Sequence, residues 1–210
     1  MIFFGHVLLG VSLAAPIGPV NAAQLEKGLK HGFLHSWLVG LGAMLADALY
    51  MLAVYIGLSQ LLMYEGVKVF LWLFGCFVLL YTGIETIVET AKSKNQLAYT
   101  RKKPSLFQSF GTGFLISISN PLTILFWLGI YGSVLAKTLT LYESSQIWLL
   151  SSAIFIGITL WDLFIAVVSS TAKSFVSEKT KQIISILSAI SLISFGLYFG
   201  YLGLTLLLGS

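Results

Sequence analysis

Gly10-Val-Ser-Leu-Ala-Ala-Pro16-Ile-Gly18-Pro19-Val-Asn21 lies inside an apolar run, and its two prolines flank a glycine. Each proline removes a backbone donor and clashes with the preceding turn, so a helix cannot pass through unbroken. A second apolar run follows and carries a single acid: Gly40-Leu-Gly42-Ala-Met-Leu-Ala-Asp47. The same order recurs downstream, as Gly113-Phe-Leu-Ile-Ser-Ile-Ser-Asn120-Pro121 and then Gly157-Ile-Thr-Leu-Trp161-Asp162. Broken apolar helices at matching positions of two halves point to the binding site of a membrane carrier.

Working outward, 57% of the 210 residues are hydrophobic and 10% are charged. A soluble domain of this size cannot bury that much hydrocarbon, so the composition implies an integral membrane protein. A helix of about 20 apolar residues spans a bilayer. Six such spans can be drawn, at 2–23, 34–58, 67–88, 108–135, 146–170 and 183–208. They predict an all-α membrane protein of six transmembrane helices, arranged as two inverted three-helix repeats with the first helix of each broken at proline. The repeats run over 1–90 and 107–210, and the polar stretch 91–106 joins them as a cytoplasmic linker. Leu80-Tyr81-Thr82-Gly83 in span 3 and Leu197-Tyr198-Phe199-Gly200 in span 6 add a weaker match. Inverted repeats give a protein two near-equivalent arrangements, each open to one face, as alternating access requires.

Ten of the twelve Lys and Arg residues fall after spans 1, 3 and 5: Lys27, Lys30, Lys92, Lys94, Arg101, Lys102, Lys103, Lys173, Lys179 and Lys181. Lys68 and Lys137 fall on the other side. The positive-inside rule makes the first set cytoplasmic and puts both termini outside. The net positive charge is explained by this asymmetry and by anionic lipid headgroups, so no nucleic-acid partner is implied. The N-terminus has no basic region ahead of its apolar stretch, which argues against a cleaved signal. Cys76 is the single cysteine and reads as a small core residue.

Four positions concentrate the chemistry. A break at Pro16, Gly18 and Pro19 exposes amide N–H groups at a new helix N-terminus, which attracts a carboxylate. Asn21 adds a donor and an acceptor there, and Gln24 follows one turn on. Asn120 and Pro121 form the looser counterpart, with Ser117 and Ser119 nearby. Asp47 lies near mid-membrane, where an acid costs at least about 2.5–3.5 kcal/mol and marks function by default. No Lys or Arg lies at comparable depth, so its carboxyl must be protonated, held by neutral donors, or paired with an incoming cation. Gly40 and Ala43 share its helical face, so another backbone can come close. Asp162, with Thr159, Ala166 and Ser169 on its face, is either a second coupling acid or polar glue between helices. Trp161 beside it reads as a lipid-facing or gating aromatic. The rest reads as structural. Glu85 and Glu89 suit a solvated interface, and His31 and His35 suit a surface. Gly196-x-x-x-Gly200 with Gly203 offers a close-packing face within the chain or for a homodimer.

At these residues the chain resembles the lysine exporter (LysE/RhtB-type) amino-acid efflux family. The resemblance is carried by Pro16-Ile-Gly18-Pro19-Val-Asn21, the basic turn Lys27-Gly28-Leu-Lys30-His-Gly32, and Gly40…Asp47. Asn120-Pro121-Leu-Thr-Ile-Leu-Phe126 and Trp161 extend it, nearly end to end. It implies a six-helix carrier in a bacterial-type cytoplasmic membrane that exports amino acids or close derivatives, driven by an ion gradient, with no cofactor. Family members handle lysine, threonine, homoserine, leucine or cysteine derivatives, so the substrate does not follow. Asp162 is not part of the family pattern, and its role is not carried over. An amino acid's carboxylate suits the broken-helix N-termini and its ammonium suits Asp47; a proton competing there would give antiport. The alternative is a divalent metal-cation exporter using the two acids. An intramembrane aspartyl protease would need a Gly-x-Gly-Asp signature, which neither aspartate has. A passive scaffold would not explain an unpaired acid at depth. No nucleophile–base pair supports an enzyme.

Overall fold

The structure is a computed structural model that describes residues 2–16, 18–57, 64–95, 104–132 and 144–208. Its described residues form helices and the short joints between them. The elements are α1 (Ile2–Ala14), α2 (Pro19–His31), α3 (Phe33–Tyr55), α4 (Glu65–Asn95), α5 (Leu106–Ile118), α6 (Pro121–Phe126) continuing into a π-turn (Trp127–Tyr131), α7 (Ser144–Phe175) and α8 (Glu178–Leu208). Four of them, α3, α4, α7 and α8, contain stretches long and apolar enough to cross a membrane. Together α1 and α2 make a fifth candidate span, bent by 77° at the proline segment. The protein is therefore a multi-pass helical membrane protein.

Span 1 is broken at its prolines into α1 and α2, and α2 runs on to His31, past residue 23 where the span was drawn to end. α4 stays helical to Asn95, into the polar stretch that starts at residue 91. Nothing in Ala91–Asn95 stops a helix, and the Thr82, Thr86 and Thr90 hydroxyls along the preceding turns donate back to carbonyls four residues earlier. Arg101, Lys102, Lys103 and Lys137 lie outside the described residues.

Local chemistry sets the ends. Gly32 joins α2 to α3 at φ 97°, a left-handed conformation that L side chains resist. Ser105 caps α5: its hydroxyl accepts from the Gln108 N–H at 3.1 Å, and the Gln108 side chain accepts from the Ser105 N–H at 2.7 Å. This is a capping box, which satisfies donors that a helix start leaves free.

Helices pair as α4 with α8, α3 with α5, and α1 with α7, while α2 lies among α3, α7 and α8. Glycines set the closest crossings. A Cβ on Gly113 would strike the Val39 carbonyl, and one on Gly42 the Phe110 carbonyl. Across the other pair, a Cβ on Gly10 would strike the Ile154 carbonyl, and one on Gly157 the Val7 carbonyl. Along α8, Gly196 lies against Leu80, Gly200 against Cys76 and Gly203 against Leu73 and Trp72. The α8 glycine face, open in sequence between self-packing and a dimer, is thus used within the chain.

Two apolar clusters flank the centre. One gathers Tyr50, Met51, Val54, Ile124, Trp127, Tyr131, Ile147, Ile154 and Ile158. The other joins Ala23, Val39, Val78, Leu79, Ile116, Leu192 and Phe199. Outward faces carry Phe70, Phe77, Tyr81, Leu197, Tyr198 and Tyr201 in exposed positions, as expected where hydrocarbon is the solvent.

Candidate functional site

The break between α1 and α2 is stabilised from within. Gly18 is the N-cap of α2 and offers no side-chain cap, and Pro19 occupies the first turn. Asn21 closes the gap. Its amide donates to the Ala14 and Pro16 carbonyls, both at 2.8 Å, and its Oδ1 accepts from the Trp161 indole N–H at 3.3 Å. Freed carbonyls at membrane depth need such partners. Trp161 therefore faces the break, not the lipid.

The second break, after Ile118, is held in the same spirit by different residues. The Tyr50 hydroxyl donates to the Ile118 carbonyl, and the Ser119 hydroxyl donates back to the Leu115 carbonyl. Asn120 is buried, and Pro121 opens α6.

Between the breaks lies a cavity of about 480 Å³. Pro16, Gly18, Pro19, Asn21, Asp47, Asn120 and Asp162 all line it, and the full lining draws on seven helices (α1, α2, α3, α5, α6, α7 and α8) and both breaks. Pro121, which opens α6 next to Asn120, is not among the lining residues described. Ala43, Ile158, Phe126 and Phe195 supply apolar wall, and Ser12, Ser117 and Thr123 supply hydroxyls. No Lys or Arg is among the described residues that line it.

Asp47 projects from α3 into this space. Its Oδ1 accepts from the Trp127 indole N–H at 3.1 Å and from the Ser117 hydroxyl at 3.4 Å. Two neutral donors hold it, and among the described residues it makes no ion pair. Trp127 is 1% exposed and stacks on Phe155, ring centroids 5.6 Å apart. Sequence reasoning did not single out Trp127. Its one cue is its position two helical turns after Asn120, at the start of a π-turn, a geometry frequent at functional sites.

Asp162 is 4% exposed and sits deeper in the wall. Its face of α7 turns inward, as its small neighbours suggested: Ala166 and Ser169 are fully buried. Gly40, on the facing helix, does not admit another backbone; it borders Asp162 and Gln24. The close backbone approach on α3 occurs at Gly42, two residues on, because that is the position facing α5.

A polar cluster lies toward the α2–α3 turn. Glu26 and Lys30 form an ion pair at 2.5 Å with both side chains buried, and the Lys30 ammonium also donates to Thr90 on α4 at 3.1 Å. His35 is not a surface residue: it is buried, with Nδ1 2.8 Å from the Ser109 hydroxyl, because the first turns of α3 are covered by α5. His31 lies beside it, ring centroids 5.2 Å apart. Glu85 is exposed. Among the described residues no group of three or more His, Cys, Asp or Glu side chains could hold a metal ion.

A bundle of membrane-crossing helices enclosing a small-molecule-sized cavity at paired helix breaks is the architecture of a membrane translocator. The chain belongs to the family of LysE type translocators, whose family model matches residues 11–203. It is a transporter, not an enzyme. A Bacillus subtilis (strain 168) protein named "Putative amino acid efflux protein YcgF" is 53% identical over 208 residues, covering 99% of each chain. "Chemotactic transduction protein ChpE" of Pseudomonas aeruginosa is 33% identical over 64% of this chain and 65% of its own. A Synechocystis sp. protein named "Uncharacterized membrane protein slr1627" is 26% identical over 82% of each chain. No solved structure matches the chain at a significant level.

Proposed function

We propose that this chain exports amino acids or close derivatives across a bacterial cytoplasmic membrane, by antiport against protons or another cation. The carrying observation is the cavity itself: both helix breaks, Asp47 and Asp162 meet in it, and no basic side chain lines it among the described residues. An amino acid is a zwitterion. Its carboxylate would meet the uncapped start of α2, where the Val20 and Asn21 N–H groups precede the first intrahelical bond, from Ala22 to Gly18. Its ammonium would meet Asp47, whose Oδ1 is held by Trp127 and Ser117 so that Oδ2 is left for a cation. A proton and the ammonium then exclude one another at Asp47, which couples the two flows. The efflux name of the Bacillus relative supports the amino-acid class and the outward direction.

Alternating access is supported by a correspondence between the glycine crossings. Gly10 and Val7 precede Gly113 and Phe110 by one constant interval; Val39, Gly42 and Asp47 precede Ile154, Gly157 and Asp162 by another. Gly113 on Val39 is thus the counterpart of Gly10 on Ile154, and Gly42 on Phe110 that of Gly157 on Val7. We read these as two inverted three-helix repeats. The basic loops are then cytoplasmic and both termini external. A homodimer, if formed, would use a surface other than the α8 glycines. The divalent-cation alternative rests on the two aspartates alone, with no third ligand among the described residues.

The test uses everted membrane vesicles under an imposed pH gradient with a panel of radiolabelled amino acids. Wild type should accumulate one class of amino acid, and Asp47→Asn should lose at least roughly tenfold of the rate, the loss of one charged contact of about 1.5–3 kcal/mol. Native-rate, pH-dependent export by Asp47→Asn would sink the mechanism.

A further inference from the structure

Most polar groups around the cavity are already committed to other parts of the protein. Asn21 engages the Ala14 and Pro16 carbonyls with its amide and the Trp161 indole with its oxygen. The Ser117 hydroxyl donates to Asp47. Asp162 is 4% exposed and has the Gln24 amide as its hydrogen-bond partner, so it offers a substrate little. The two fill the space beside Gly40, where even a Cβ would strike the Gln24 Nε2. Once an ammonium sits at Asp47 and a carboxylate at the start of α2, the wall that remains is mostly hydrocarbon. It has two sides, one from each apolar cluster. Ile158 belongs to the first cluster, and Leu13 and Phe126 pack against it. Val20 and Phe195 pack against the second. All five line the cavity, and all but Ile158 are only partly covered by the protein.

We propose that these two apolar walls are the side-chain pocket of the carrier, and that its substrate is a neutral amino acid with a bulky apolar side chain. The proposal rests on the amino-acid reading above and narrows it. At about 480 Å³ the cavity is far larger than an ammonium and a carboxylate fill. A bulky apolar side chain takes up the remainder and removes water from both walls, which is favourable in proportion to the area covered. A second ammonium, as on lysine, finds no carboxylate besides Asp47 and the already partnered Asp162. A second carboxylate finds no Lys or Arg among the described residues of the lining. Either charge would stand unpaired against apolar side chains, which is costly. A hydroxyl side chain is the nearer rival, because Ser12 and Thr123 also line the cavity. An apolar pocket disfavours an added hydroxyl by up to roughly a hundredfold, so threonine binds, but more weakly. Phe195 is the residue that sets this preference. It is the one side chain α8 contributes to the described lining, and fully buried Phe199 holds its ring edge-on, centroids 6.3 Å apart.

The test titrates purified full-length protein in detergent micelles with leucine, phenylalanine, threonine, lysine and glutamate, reading the rise in thermal unfolding midpoint against concentration. Leucine or phenylalanine should act at concentrations roughly tenfold or more below threonine, and further still below lysine and glutamate. Phe195→Ala should cut the preference for leucine over threonine several-fold, whereas Phe195→Leu, which keeps the wall apolar, should retain it. A general loosening of the fold would weaken both ligands alike and leave that ratio unmoved. If Phe195→Ala does not fold, Val20→Thr, a swap of nearly equal shape, should shift the same ratio toward threonine. Threonine, lysine or glutamate acting at concentrations equal to or below those of leucine and phenylalanine overturns the apolar pocket and leaves the amino-acid reading standing. An unchanged ratio in both Phe195→Ala and Val20→Thr does the same. No response to any amino acid would remove the amino-acid reading itself, and the pocket with it.

Discussion

Asn21 uses both amide donors and its carbonyl oxygen at the break beside it: two donations to Ala14 and Pro16 and one acceptance from Trp161. It lines the cavity, yet its local task is to hold α1 against α2 and both against α7. Asn21→Ala should lower the unfolding free energy by about 1–3 kcal/mol, because it removes the partner of the Ala14 and Pro16 carbonyls and of an indole N–H at the break; chemical or thermal unfolding in detergent measures it. Lys30 is the sharper case. Lys30→Met takes from buried Glu26 the nearer of its two cations, leaving Lys27 at 3.8 Å, and should cost up to about 3–5 kcal/mol, whereas the pair Glu26→Gln with Lys30→Met should recover most of that. Equal damage from the single and double variants would show that the ion pair is not what matters there. Asp47 was legible from sequence because an acid at depth in an apolar run has few explanations. Gln24 was visible only as a polar residue one turn beyond Asn21, since an amide's satisfaction depends on what packs over it.

The elements were mostly readable where hydropathy runs long. The stretches around α3, α4, α7 and α8 appear in the sequence as unbroken apolar runs, and each is a helix of crossing length. Span 1 was readable as broken but not as bent by 77°, because proline says where a helix stops and not how its continuation packs. Glycine crossings were half visible: the glycines stand out, but their partners do not. Gly113 and Gly111 separate the two cases. Gly113→Leu should cost about 1–3 kcal/mol or more by overpacking, since its Cβ would strike the Val39 carbonyl. Gly111→Leu, with open space at its Cβ position, should leave the yield and gel-filtration profile of purified protein near wild type. Loss of folded protein from both would mean that glycine is needed in α5 for backbone reasons, not for the crossing.

At the scale of the molecule, the cavity lies between an apolar, aromatic cluster containing Trp127, Tyr131 and Ile154 and a polar side holding Gln24, Asp162 and, further along α2, the Glu26–Lys30 pair. A carrier that alternates must open each side in turn. With Cys76 replaced by Ala, a single cysteine introduced as Ser12→Cys or Thr123→Cys on the cavity wall should react with a membrane-impermeant thiol reagent from either face of oriented vesicles. Reversing the pH gradient should change which face reacts faster. Reactivity confined to one face under every gradient and substrate condition would contradict alternating access.

By itself the sequence determined that this chain is a multi-pass helical membrane protein, that two of its apolar runs are broken by proline, and that an acid follows each break. Those conclusions rest on local quantities: hydropathy over a span, the missing proline donor, and the cost of a charge in hydrocarbon. Only the tertiary structure decided that both breaks and both aspartates enclose one cavity, that Asn21, Tyr50 and Trp161 close the breaks, that Trp127 holds Asp47, and that the α8 glycines pack on α4. Each of these depends on which faces of distant helices meet, and helix faces in so apolar a chain are too alike for their pairing to be read along the sequence.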